Sequence, residues 1–232
     1  MAKRSAAGMT GGEKIWGGIL LALHLTVLPE AAGLLYDFLE ARAGLPAGGR
    51  DTVYKSILLV LSLVIFSQYL RQTTRAFFSR VGRTSGTAAL GLVILYGLNA
   101  LARQVLQMFP LEWENPNDQS VLARMGTAPG ITILTVVFLS PFIEELLFRG
   151  YIFGNLREYH RGAAYVVSCL LFALAHVWPY MAGAPDWNHL LLLVQYLLPG
   201  AVMAWAFERS DTLWGSVLLH IAVNALSAWR AF

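Results

Sequence analysis

The sequence predicts an all-α fold, a polytopic transmembrane helical bundle of about seven spans (six to eight) enclosing a polar cavity. Three observations predict it. The 232 residues are 56% hydrophobic and only 13% charged, against about 25% charged in soluble domains. Apolar stretches approaching the ~20 residues that cross a ~30 Å bilayer core recur along the chain. The basic residues gather in short segments between those stretches, so the formal net charge of +3 reads as a topology signal, with no nucleic-acid partner expected. So apolar a composition excludes a disordered chain. The single cysteine, Cys169, excludes a disulfide-stapled module. No repeat of about 20–50 residues and no soluble domain is visible, so 1–232 reads as a single membrane-embedded domain with a core at about 127–228.

The expected spans lie near 15–35, 53–70, 87–109, 129–155, 163–179, 188–207 and 213–230. Pro29 and Glu30 interrupt the first, which points to a short span followed by an interfacial helix. Lys3, Arg4 and Lys14 before this run also fit a cleaved signal peptide; six further spans favour a retained helix. The second is the cleanest, aliphatic from Ile57 to Tyr69 apart from Ser and Gln. Arg71, Arg75, Arg80 and Arg83 follow it, and Arg157 and Arg161 follow the fourth. The loop at 110–128 holds Glu112, Glu114 and Asp118 against Arg124, and the loop at 180–187 holds Asp186. Lys and Arg mark cytoplasmic loops. The expectation is therefore an integral protein of a bacterial inner membrane with its N-terminus in the cytoplasm. Trp16, Trp178, Trp187, Trp205, Trp214 and Trp229 fall near span ends and read as interface anchors.

Ionisable residues inside apolar helices are functional candidates by default, because each costs several kcal/mol unless paired or hydrated. The fourth span carries Glu144 and Glu145, then Arg149. Adjacent helical residues point about 100° apart, so the two acids serve different faces. Glu145 and Arg149 are one turn apart and can neutralise each other. Glu144 has no such partner in its own helix, so it is protonated or meets a group on another helix. His176 in the fifth span and His220 with Asn224 in the seventh reach similar depth. A carboxylate and an imidazole flanking a water can deprotonate it for attack on a carbonyl, and a second imidazole with an amide N–H can stabilise the oxyanion. His24, alone on an apolar helix, reads as a packing or hydrogen-bonding residue. Glu208, Arg209 and Asp211 read as a solvated loop.

These residues resemble the three motifs of the CPBP family, the CAAX-protease and bacteriocin-processing group (ABI, Rce1-like) of intramembrane glutamic endopeptidases. The correspondence is Glu144-Glu145-x-x-x-Arg149, Phe172-x-x-x-His176 and His220-x-x-x-Asn224, in order and on separate apolar helices across roughly 127–228. The resemblance implies an all-α membrane fold with a cavity open toward the cytoplasmic side or the lipid. It implies Glu144 and His176 activating water, His220 and Asn224 forming the oxyanion site, and Glu145 and Arg149 in structural support. It implies no cofactor. The implied partners are the bilayer and a protein or peptide substrate with a membrane-associated or lipidated C-terminal region. The family includes CAAX proteases, peptide-maturation enzymes and the myxosortase-like bacterial subgroup, and the sequence does not choose among them. Alternatives stay open: a catalytically silent membrane scaffold of the same fold, a zinc-dependent protease using Glu144, His176 and His220, or a proton-coupled transporter. Against the last, the halves show no inverted repeat.

Overall fold

A computed structural model describes residues 8–44, 49–106, 115–183 and 188–230. Lys3, Arg4, Glu112, Glu114, Asp186 and Trp187 lie outside the described residues. The chain is all-helical: α1 (Gly11–Leu25), α2 (Leu28–Ala43), α3 (Arg50–Ile65), α4 (Ser67–Phe78), α5 (Val81–Leu106), α6 (Pro116–Thr127), α7 (Pro129–Leu156), α8 (Arg161–Gly183), α9 (Asn188–Ser210) and α10 (Leu213–Arg230). Among the described residues there is no strand. Large apolar side chains such as Val60, Val64, Val93 and Val166 are exposed on the outer surface, an arrangement that suits lipid rather than water.

Among the described residues, three helices, within α5, α7 and α8, are long and apolar enough to cross a membrane, or up to five if α1–α2 and α3–α4 each count as one bent span. The polar residues that build the site, His220 and Asn224, also make α10 less apolar. The α1–α2 break follows the expectation from Pro29: the helices meet at 65°, and Pro29 sits in the first turn of α2, where its missing N–H costs nothing.

The second break was not expected. Ile57 to Tyr69, the cleanest apolar run, bends by 84° between α3 and α4. Phe66 occupies the corner, fully buried, and its ring lies where a Cβ on Gly17 of α1 would come within 2.7 Å. A helix start leaves N–H groups without partners, and a residue from α1 supplies one acceptor. Glu13, itself buried, closes a capping box with Thr10 and accepts the Tyr69 N–H at 2.7 Å through its other oxygen. One carboxylate thus starts two helices.

Several of the basic residues that collect at one end of the bundle are paired there. Arg80 and Arg157 reach Asp211 at 2.8 and 3.6 Å. Arg161 donates two hydrogen bonds to Glu208. Glu208 and Asp211 are therefore bridging groups rather than a solvated loop. Asp211 has φ 56°, a left-handed conformation that Asp tolerates, and it turns α9 into α10. Thr73 of α4 accepts the Leu213 N–H at 2.8 Å. Trp214 donates its indole N–H to Thr74 at 3.0 Å, so it packs at the α4–α10 junction instead of anchoring an interface. Trp16, Trp178 and Trp229 are exposed. Replacing Glu13 by alanine leaves the buried Tyr69 N–H without its acceptor; we expect a loss of about 1–3 kcal/mol, read as a lower unfolding midpoint of the detergent-solubilised protein.

Candidate active site

The site grows from α7, which is not a uniform α-helix. Leu134–Leu139 and Glu145–Phe153 are π-helical, with the α-helical turn Ser140–Glu144 between them. Such stretches are rare and cluster at functional sites. Side chains of neighbouring helices take up backbone carbonyls in both. Asn224 donates to the Val136 carbonyl at 2.8 Å, and Ser168 to the Phe148 carbonyl at 2.8 Å.

Glu145 and Arg149 are both fully buried. Their ion pair measures 2.9 Å, as the one-turn spacing leads one to expect. Arg149 also donates to the Gly200 carbonyl at 3.1 Å and lies over the Phe172 ring at 4.2 Å. The Glu145 oxygen that meets Arg149 also accepts from His220 Nδ1 at 2.9 Å. Glu145 therefore fixes the His220 ring and directs its Nε2 toward the neighbouring acid.

Glu144 faces the other way, into a cavity of ≈ 870 Å³. Its Oε2 lies 3.6 Å from His176 Nε2 and 4.0 Å from His220 Nε2. His176 donates Nδ1–H to its own helix, to the Phe172 carbonyl at 2.8 Å. A carbonyl can only accept, so in the neutral ring the Nε2 lone pair is left facing Glu144. Tyr196 stacks on the same imidazole at 4.5 Å. Asn224 lines the cavity too, with one of its two amide N–H groups committed to Val136. The structure thus brings together Glu144, His176, His220 and Asn224 in one cavity, with Glu145 and Arg149 behind them.

Two residues of this cavity were not foreseen. Lys55 of α3 pairs with Glu144 Oε1 at 3.2 Å, which answers the question of what neutralises that carboxylate. A lone lysine close to an apolar run was a signal, but at the edge of a span it reads as a boundary residue. His24, expected only to pack or hydrogen-bond, does bond the Tyr54 hydroxyl and also lines the cavity. Among the described residues, no three His, Cys, Asp or Glu side chains are grouped to hold a metal ion.

The cavity reaches one end of the bundle. Its rim is formed by Asp51, Arg103, Leu122 and Arg230, at the starts or ends of α3, α5 and α10 and on α6. All lie at the end remote from Arg80, Arg157 and Arg161. α6, read from the sequence as an acidic loop, lies beside this end of the cavity. Asn115 caps it through the Asn117 N–H at 2.9 Å and donates to the Tyr196 hydroxyl at 2.9 Å. Burial pushes the Asp118 carboxyl above its ordinary value.

Residues 127–226, which contain every one of the site residues on α7, α8 and α10, match the family described as Type II CAAX prenyl endopeptidase Rce1-like. Over this segment the chain is similar to the CPBP family, with the Glu144-Glu145-x-x-x-Arg149, Phe172-x-x-x-His176 and His220-x-x-x-Asn224 motifs inside the match. Curated relatives match parts of the chain. "Putative membrane peptidase YdiL" of Bacillus subtilis (strain 168) is 26% identical over 72% of this chain and 64% of its own length. "UPF0177 protein YxdF" of Lactococcus lactis subsp. lactis (strain IL1403) is 32% identical over 36% of this chain and 41% of its own length. An "Uncharacterized 24.3 kDa protein" of Escherichia coli is 31% identical over 41% and 42%, respectively. The chain thus spans between about two fifths and just under two thirds of these relatives. No solved structure matches it significantly.

The buried Glu145–Arg149 ion pair generates a stability prediction. Arg149→Leu leaves Glu145 buried and uncompensated, at a cost of about 3–5 kcal/mol. Replacing both partners by leucine costs less than Arg149→Leu alone, which thermal unfolding of the three proteins in detergent checks.

Proposed function

We propose that the chain is an intramembrane endopeptidase of the glutamic type. The observation that carries this reading is one carboxylate oxygen, Glu144 Oε2, faced by the Nε2 atoms of two histidines at 3.6 and 4.0 Å inside a cavity. A water held between Glu144 and His176 has two acceptors for its hydrogens. As it attacks the scissile carbonyl, its proton passes to this pair and is then delivered to the leaving amine. The new oxyanion is met by the remaining Asn224 N–H and by His220. Because His220 Nδ1–H is committed to Glu145, its Nε2 donates to the oxyanion when the ring carries both protons. Lys55 balances the Glu144 charge and holds Oε1, leaving Oε2 for the water.

In this reading the enzyme sits in a bacterial inner membrane, requires no cofactor, and hydrolyses a peptide bond near the C-terminus or membrane anchor of a protein or peptide. The resemblance to CAAX endopeptidases and the name of the YdiL relative support that substrate class, of which prenylated tails and myxosortase-like C-terminal anchors are two versions.

The test is cleavage of a panel of C-terminally anchored and prenylated peptides by purified protein, with and without a strong chelator. Glu144→Gln is expected to abolish cleavage while the protein still folds; an active Glu144→Gln enzyme ends the proposal. Loss of wild-type activity with chelator instead supports the zinc alternative. Asn224→Ala is expected to lower kcat by about 10²–10³ with little change in KM, the range for removing an oxyanion donor. Lys55→Met is expected to lower kcat without changing which peptides are cut.

A further inference from the structure

The cavity and the cationic end of the bundle lie at opposite ends of the same helices. α5, α8 and α10 each start beside Arg80, Arg157 or Arg161 and finish around the cavity rim. α3 and α7 run the other way, starting beside the rim at Asp51 and Thr132. The sense of every one of these helices is therefore fixed relative to both features. At the rim, Leu122 of α6 is exposed, and Arg103 and Arg230 are exposed as well. Arg50 and Arg124 stand there too, Arg124 paired with Asp51. The opposite end carries Lys14, Arg71, Arg75 and Arg83 in addition to the paired arginines. Lys and Arg near span ends set orientation, and the richer end stays in the cytoplasm.

We propose that the cavity is entered from the non-cytoplasmic side of the membrane. The proposal rests on the peptidase reading only for its consequence. The segment hydrolysed is then the extracytoplasmic flank of a membrane-anchored protein, and a tail displayed in the cytosol has no direct route to Glu144. A substrate held by its own membrane helix would present that flank to the rim beside α6. Glu144 and both histidines lie deeper, on the middle turns of α7, α8 and α10.

Cysteine labelling of the full-length chain in spheroplasts tests this without requiring cleavage. Cys169 is the only cysteine, so Cys169→Ala gives a thiol-free background. Three reporters are added singly: Leu122→Cys at the rim, Ser140→Cys on the cavity wall one turn before Glu144, and Tyr159→Cys, an exposed position at the cationic end. A membrane-impermeant maleimide is expected to label Leu122→Cys to the same extent before and after lysis, and Tyr159→Cys only after lysis. A small impermeant methanethiosulfonate is expected to modify Ser140→Cys in intact spheroplasts. The reverse pattern overturns the proposal. So does labelling of Leu122→Cys in neither condition, or modification of Ser140→Cys only after lysis. An inactive wild type, or an active Glu144→Gln enzyme, would end the peptidase reading and leave these labelling results to stand on their own.

Discussion

The Glu145 carboxylate, sealed from solvent, holds the site in place. Burying a charge costs several kcal/mol even after relaxation, and here three contacts offset it. Arg149 supplies the opposite charge from the same helix, His220 supplies an N–H from α10, and the Arg149 fork continues to the Gly200 carbonyl of α9. Three helices are thereby tied at one point. The ring orientation of His220, and hence where its Nε2 points, follows from that tie. Without Glu145 the imidazole would have no fixed tautomer, because its direction is set by the partner of the other ring nitrogen.

Two adjacent acids take such different roles because of the backbone of α7. A regular α-helix separates neighbours by about 100°, which already sends them to different faces. The π-helical stretches on either side of Glu144 add a second effect. They alter the carbonyl ladder where Asn224 and Ser168 reach in. Asn224 is thus positioned by the helix that carries the acid it works beside. The local irregularity and the side-chain cluster form one feature.

How much of this was legible in the sequence depended on the range of the interactions. Glu144, His176 and His220 could be read because an ionisable group in an apolar helix demands a partner, and their depths matched. Glu145 and Arg149 could be read from a one-turn spacing. Lys55 could not, because its partner lies 89 residues away and its place near a helix start gives it an innocent explanation. Hydropathy stayed continuous through Phe66 while the helix broke there, since the break depends on a cap supplied by Glu13 of α1. Likewise α6 hid in a segment read for its charge, although Asn115-Pro116 is a helix-start signal. Periodicity records how a helix meets an apolar surrounding; it carries no record of a cap or counter-ion donated from elsewhere in the chain.

The pairing of charges also bears on what the cavity can accept. Each acid has its own base, Glu144 with Lys55 and Glu145 with Arg149, so the resting site has no unbalanced full charge beyond what the histidines acquire. A peptide entering it does not have to strip water from an isolated ion, the most expensive event in a low-dielectric setting. Two histidines complete the cluster. Both direct Nε2 at the same carboxylate oxygen, so a proton released from a water there moves a few ångströms between groups that are already oriented. In the proposed hydrolysis, charge would then appear only where the tetrahedral oxygen forms, close to the groups able to meet it, which is the condition for stabilising a transition state more than the bound peptide.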